Sequence, residues 1–109
     1  MPRSSATRAV DDSWNDIDRL IHEPARLMIL GQLYVVEGAD FLFLMRRLGL
    51  TQGNLSSHLG KLESAGYVTV QKEFVDKRPR TLLRLTDEGR AAFTDYVARM
   101  KRLLNGLSR

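Results

Sequence analysis

Apolar positions recur along most of this chain at a helical period, and the interruptions between them fall on capping and turn residues. Trp14, Ile17, Leu20 and Ile21 follow spacings of three and one-turn four, with Asp12 or Ser13 placed to cap a first helix. Pro24 stands where a second helix opens, since the first helical amide has no intrahelical partner and proline lacks one. That helix is read to about Val36, with Leu27, Met28, Ile29, Leu33 and Val36 inward and Glu37-Gly38 as its stop. Asp40 caps a third helix from Phe41 to about Leu48, ended by Gly49, with Arg46 and Arg47 at the negative end of its dipole.

Thr51 then caps a fourth helix, and Leu50 stands at staple distance from Leu55, which fixes the entry angle of the chain. Two short helices joined by so tight a connection have the sequence form of a helix-turn-helix. Gly66 ends the fourth helix. Tyr67–Val70 and Thr81–Leu85 read as two strands of a hairpin, with Asp76-Lys77-Arg78-Pro79-Arg80 as its polar tip. Thr86 caps a last helix running to about Asn105-Gly106, with Asp87 and Glu88 at its positive end.

At 100° per residue Leu55, Leu59 and Leu62 form one stripe of the fourth helix and seat it on a core. The opposite side is then Gly53, Ser57, Gly60, Lys61 and Ser64, flanked by Gln52, Asn54 and Ser56: small, polar and poor in acids. Solvated helix faces ordinarily intersperse Glu and Lys. A face of this composition suits the major groove, where Asn and Gln pair with adenine and Lys with guanine. His58 lies at its edge, suited to a phosphate contact or a structural hydrogen bond. Lys77, Arg78 and Arg80 at the hairpin tip reach phosphates or the minor groove, and Lys72 and Arg84 add contacts from the strands.

Charge follows the same division. The first forty residues carry four arginines against seven acids, whereas Phe41–Leu85 carries eight basic residues against three, so the middle of a +4 chain holds the surplus. An anionic partner, double-stranded DNA, is expected to meet that segment.

The run GNLSSHLGKLESAGYVTVQKEF, followed by RPRTLLRLTDEGRAAF, resembles winged-helix transcriptional regulators of the MarR/ArsR-like kind, in the compact single-domain form. The resemblance covers roughly Leu27 to Phe93. It implies a mainly α fold with a two- or three-stranded β wing, a winged helix-turn-helix of α+β type with a long C-terminal helix. It also implies a DNA-binding recognition helix carrying Gln52, Asn54, Ser56, Ser57, His58 and Lys61, and a DNA-binding wing carrying Lys77, Arg78 and Arg80, to which Lys72 is added.

In the last helix Phe93, Val97, Met100, Leu104 and Leu107 step by four, three, four and three, a heptad seam that Tyr96 and Leu103 widen. Packing on the domain's own first helix would satisfy it. The preferred reading joins it with Trp14, Ile17 and Ile21 in a homodimer interface. Residues 1–11 are expected to be a flexible tail, and 12–109 one domain whose N- and C-terminal helices form that interface. The function expected is a sequence-specific regulator, most simply a repressor, dimeric on a pseudo-palindromic operator; the alternative is a winged-helix protein–protein interaction module without specific DNA binding.

Enzymatic readings find no support in the sequence. His22 and His58 are its only histidines, and no Ser/His/Asp set, phosphate-cradling glycine loop or H-E-x-x-H run accompanies them. His22-Glu23 reads as a helix-start pair rather than a ligand set. No metal and no cofactor is expected, and a small-molecule effector is left open without a signal for one. With no cysteine nothing calls for an oxidising compartment, and neither a signal-peptide core nor an apolar run of roughly 20 residues is present, so a cytoplasmic protein outside the membrane is expected.

Overall fold

Every helix start that can be checked is held by the capping chemistry its sequence offers. The computed structural model describes residues 16–107, and within them α1 spans Pro24–Val35, α2 Phe41–Leu48, α3 Gln52–Ser64 and α4 Asp87–Leu107. Glu23 caps α1 by accepting from Arg26 N at 2.8 Å, and this hydrogen bond is the main cause that holds its carboxyl below the ordinary range. Asp40 accepts from Leu42 N and Phe43 N at 3.0 and 3.2 Å, and Thr51 from Asn54 N at 3.1 Å. Gly49 ends α2 in the left-handed conformation, φ 68°, which glycine adopts without a Cβ penalty. Thr86 Oγ1 accepts from Gly89 N at 2.9 Å and donates to Gly66 O at 2.6 Å, so one hydroxyl ties the start of α4 to the turn after α3.

Three strands, β1 (Ala39–Asp40), β2 (Val68–Val75) and β3 (Arg78–Leu85), form an antiparallel sheet in the order β1-β3-β2. The wing is longer than the sequence suggested. Gln71–Val75 and Arg78–Arg80 join the ladder, Phe74 pairs with Pro79 and Val75 with Arg78, and only Asp76 and Lys77 are left as the turn. Both turn residues have positive φ, 51° and 66°, the hand that matches the twist of two-residue hairpins.

One core serves all elements. Ile29, Leu30 and Leu33 of α1, Leu44 of α2, Leu55, Leu59 and Leu62 of α3, Val68, Leu83 and Tyr96 meet in it. Leu50 packs against the same cluster that buries Leu55, as the staple spacing required. In α1 the inward face is rotated from expectation: Ala25 and Leu30 are buried, while Met28 and Val36 are exposed.

The expected first helix is not formed across residues 16–23, which run as successive turns. One helical bond forms there, His22 N to Asp18 O at 2.9 Å, and the Asp18 side chain supplies others. Its Oδ1 accepts from Leu20 N and Ile21 N at 3.0 and 3.3 Å, its Oδ2 accepts from Tyr67 Oη at 2.7 Å, and Arg26 Nε donates to Leu20 O at 2.6 Å. Ile17 and Ile21 are consequently buried in the chain's own core, which corrects their assignment to a face offered to a second chain. Trp14, the expected cap at Asp12 or Ser13 and the expected tail lie outside the described residues. Among the described residues no helix is long and apolar enough to cross a membrane.

Candidate nucleic-acid interface

α3 is seated by Leu55, Leu59 and Leu62, so its remaining surface is fixed by the helical period. Gln52, Gly53, Asn54, Ser56, Ser57, Gly60, Lys61 and Ser64 are all exposed, and Glu63 near the C-terminal end is the one acid exposed on the helix. Gly60 is in the helix interior, where glycine costs roughly 0.5–1 kcal/mol relative to alanine, and Gly53 is in the first turn. Among the described residues a β-carbon at either would meet nothing within 4 Å, so their packing does not require these glycines. Their effect is to flatten the outer face and let a partner's surface approach the helix backbone.

A groove of about 340 Å³ runs between this face and the wing, lined by Gln52, Ser56 and Gly60 on one side and Val70, Lys72 and Thr81 on the other. A second hollow continues it past Gln52 to Pro79 and Arg80. Of the candidate residues, Gln52, Ser56, Lys72 and Arg80 line this concavity, whereas Asn54, Ser57, Lys61, Lys77 and Arg78 are exposed beside it.

Two assignments change with the geometry. His58 is turned away from the outer face toward the start of α1, where its Nδ1 lies 3.2 Å from Arg26 Nη1 and 3.9 Å from Glu23 Oε1. A guanidinium only donates, so the imidazole accepts there and the residue does structural work, the second of the two roles its position suggested. Arg80 lies 3.5 Å from Asp40 and pairs across the ladder with Glu73, so part of its charge is answered within the chain. Lys72, Lys77 and Arg78 are exposed and form no ion pair within 4.0 Å among the described residues.

Sequence reading missed Phe74 and Val75, which stand exposed at the wing tip. The signal was the alternation Val68, Val70, Lys72, Phe74, which carries the ribbon's period to the turn and puts Phe74 on the face that meets α3.

Residues 25–104 match the sequence profile of the winged helix DNA-binding domain. The chain belongs to that family. The winged-helix domain is 38% identical over 79 residues to an uncharacterised protein of Methanocaldococcus jannaschii, covering 72% of this chain and 86% of the other. It is similar to a solved transcriptional regulator homologue from Pyrococcus horikoshii OT3, with 32% identity, coverage of 90% and 99% of the two chains and a TM-score of 0.85. A MarR-family transcriptional regulator from Silicibacter pomeroyi shares the fold at 22% identity and a TM-score of 0.62, over 94% of this chain and 68% of that one. The expected fold class, a winged helix-turn-helix with a long C-terminal helix, is therefore correct, and the kinship is with transcriptional regulators.

The apolar seam of α4 is divided. Phe93, Val97, Met100 and Leu103 pack against the domain's own core, and Tyr96 is buried with its hydroxyl 2.7 Å from His22 Nδ1. Leu104 and Leu107 are 53% and 65% exposed among the described residues.

Proposed function

We propose that this winged-helix domain is a sequence-specific repressor that binds duplex DNA as a twofold dimer and acts by occupying a pseudo-palindromic operator, without a catalytic step. The observation that carries the reading is the exposed, acid-poor face of α3, with two glycines that packing among the described residues does not require, set across a groove from a basic wing. Gln52, Asn54, Ser56, Ser57 and Lys61 read base edges in the major groove. Lys72, Lys77, Arg78 and the partly neutralised Arg80 contact phosphates and the neighbouring minor groove.

The exposed end of α4 supports dimerisation, with Leu104 and Leu107 joined by the outer flanks of Phe93, Val97 and Met100. Twofold symmetry then sets the two α3 helices about 34–36 Å apart, one turn of duplex. A regulator that meets chromosomal DNA in this way works in the cytoplasm.

Selection of bound duplexes from a random pool tests the reading. A recovered inverted repeat is expected, with affinity that falls by a log-log slope of about −0.9 per neutralised phosphate as salt is raised. Recovery of no common sequence, together with binding that ignores salt, would leave a protein–protein interaction module as the better account.

A further inference from the structure

We infer that Phe74 is an apolar wedge that enters the minor groove beside the α3 contact and unstacks a base step, so that the duplex bends when bound. The inference rests on the DNA-binding reading above and adds to it a residue and a deformation.

Phe74 is 76% exposed and Val75 beside it 40%, on a strand whose earlier residues pack on the core. Nothing in the packing of the described residues accounts for an aromatic ring there. Ladder pairing continues through Phe74–Pro79 and Val75–Arg78 to a two-residue turn, so the ring is carried on a stiff ribbon rather than a loose loop. Side chains alternate across a ribbon, and directly paired residues share a face. Phe74 and Pro79 therefore continue the face of Val70, Lys72 and Thr81, the residues that form the wing side of the groove against α3. A duplex seated on α3 meets that face.

The charges around the ring choose the occupant. Lys72 precedes it on the same face, and Lys77 and Arg78 follow at the tip, all exposed, against one exposed acid in the turn, Asp76. An apolar wedge between cations fits a minor groove, where phosphates line both walls and unstacked bases offer an apolar slot. A stable protein partner needs roughly 800 Å² on each side, far more than the end of a two-stranded ribbon offers.

The test uses the full chain and a duplex recovered by selection, with 2-aminopurine at the steps flanking the α3 contact and a dye pair at its ends. At saturating wild-type protein, 2-aminopurine emission is expected to rise at least about two-fold at one step, and the dye pair to report a bend of roughly 20–90°. Phe74→Ala is expected to lose both signals while still binding, and Phe74→Leu, which keeps an apolar wedge, to retain much of each. Because the ring is exposed, neither change should alter the thermal melt. Wild-type protein that binds without unstacking, Phe74→Ala that unstacks and bends like wild type, or Phe74→Ala that shifts the sedimentation of the free protein overturns the wedge and leaves the DNA-binding reading standing. Wild-type protein that binds no selected duplex overturns both.

Discussion

Gly89, in the first turn of α4, lies directly against the backbone of Tyr67, where a β-carbon would overlap the Tyr67 carbonyl. That carbonyl accepts from Thr86 N at 3.0 Å, while Tyr67 N donates to Leu62 O at 2.9 Å, so one residue joins α3, the wing and α4. The contact is backbone on backbone and has no flexible side chain to yield. Gly89→Ala is expected to cost about 1–3 kcal/mol, as overpacking does, and to lower Tm by roughly 4–8 °C per kcal/mol. Thermal unfolding followed by circular dichroism checks this; a variant melting with wild type would mean that α4 shifts freely.

Tyr67 also sets an alkaline limit. Burial first, and then donation to Asp18, push its phenol from 10.0 up to about 12. The folded chain holds this proton over a range where the unfolded chain has released it. The stability it contributes is complete below about pH 10 and is lost as pH rises toward 12. In urea unfolding, the difference between wild type and Tyr67→Phe is expected to shift across that window, with wild type losing ground. A difference that stays constant from pH 9 to 12 would rule out the linkage.

The outer face of α3 and the tip of the wing are expected to fail differently. Lys61→Ala and Ser57→Ala should change which sequences are selected, because they alter the reading face. Lys77→Ala and Arg78→Ala should weaken all duplexes alike and reduce the salt slope by about one each. Sites selected by the α3 variants that are identical with those of wild type would refute its assignment.

Lys77 offers a sharper separation of stability from binding. Its φ of 66° is costly for a residue with a side chain, by about 1 kcal/mol. Lys77→Gly is therefore expected to raise stability by up to about that amount while weakening duplex binding. Denaturant midpoints and binding isotherms moving in the same direction would contradict a functional reason for the lysine.

For the dimer, the choice of residue follows from burial. Met100 is partly buried in its own domain, so a charge there would confuse unfolding with dissociation. Leu104 and Leu107 are exposed among the described residues, so Leu104→Glu with Leu107→Glu should leave the domain folded, its melt lowered only by the lost association and independent of protein concentration. Sedimentation is expected to show monomer for the double variant and dimer for wild type. A double variant that remains dimeric would place the interface elsewhere.

Local chemistry made much of this protein legible beforehand. Caps at Asp40, Thr51 and Thr86, the stop at Gly49 and the stripe of Leu55, Leu59 and Leu62 act within about four residues of chain, and sequence alone determines them. The helix-turn-helix and the outer face of α3 follow from those positions. Tertiary structure decided whatever depended on distant partners. Residues 16–23 have helical spacing, yet Tyr67, remote in sequence, and the nearby Arg26 satisfy their polar groups in turns, and Ile17 and Ile21 are in the core. His58 left the reading face because Arg26 was there to receive it. Lys72 and Glu73 masked the alternation that continues from Val70 to Phe74, and the ladder that orders this stretch is formed with Arg78–Thr81 across the turn. Phe74 owes its exposure to that same ladder: periodicity fixes which side of a ribbon a residue occupies, but only the assembled chain decides whether anything covers it.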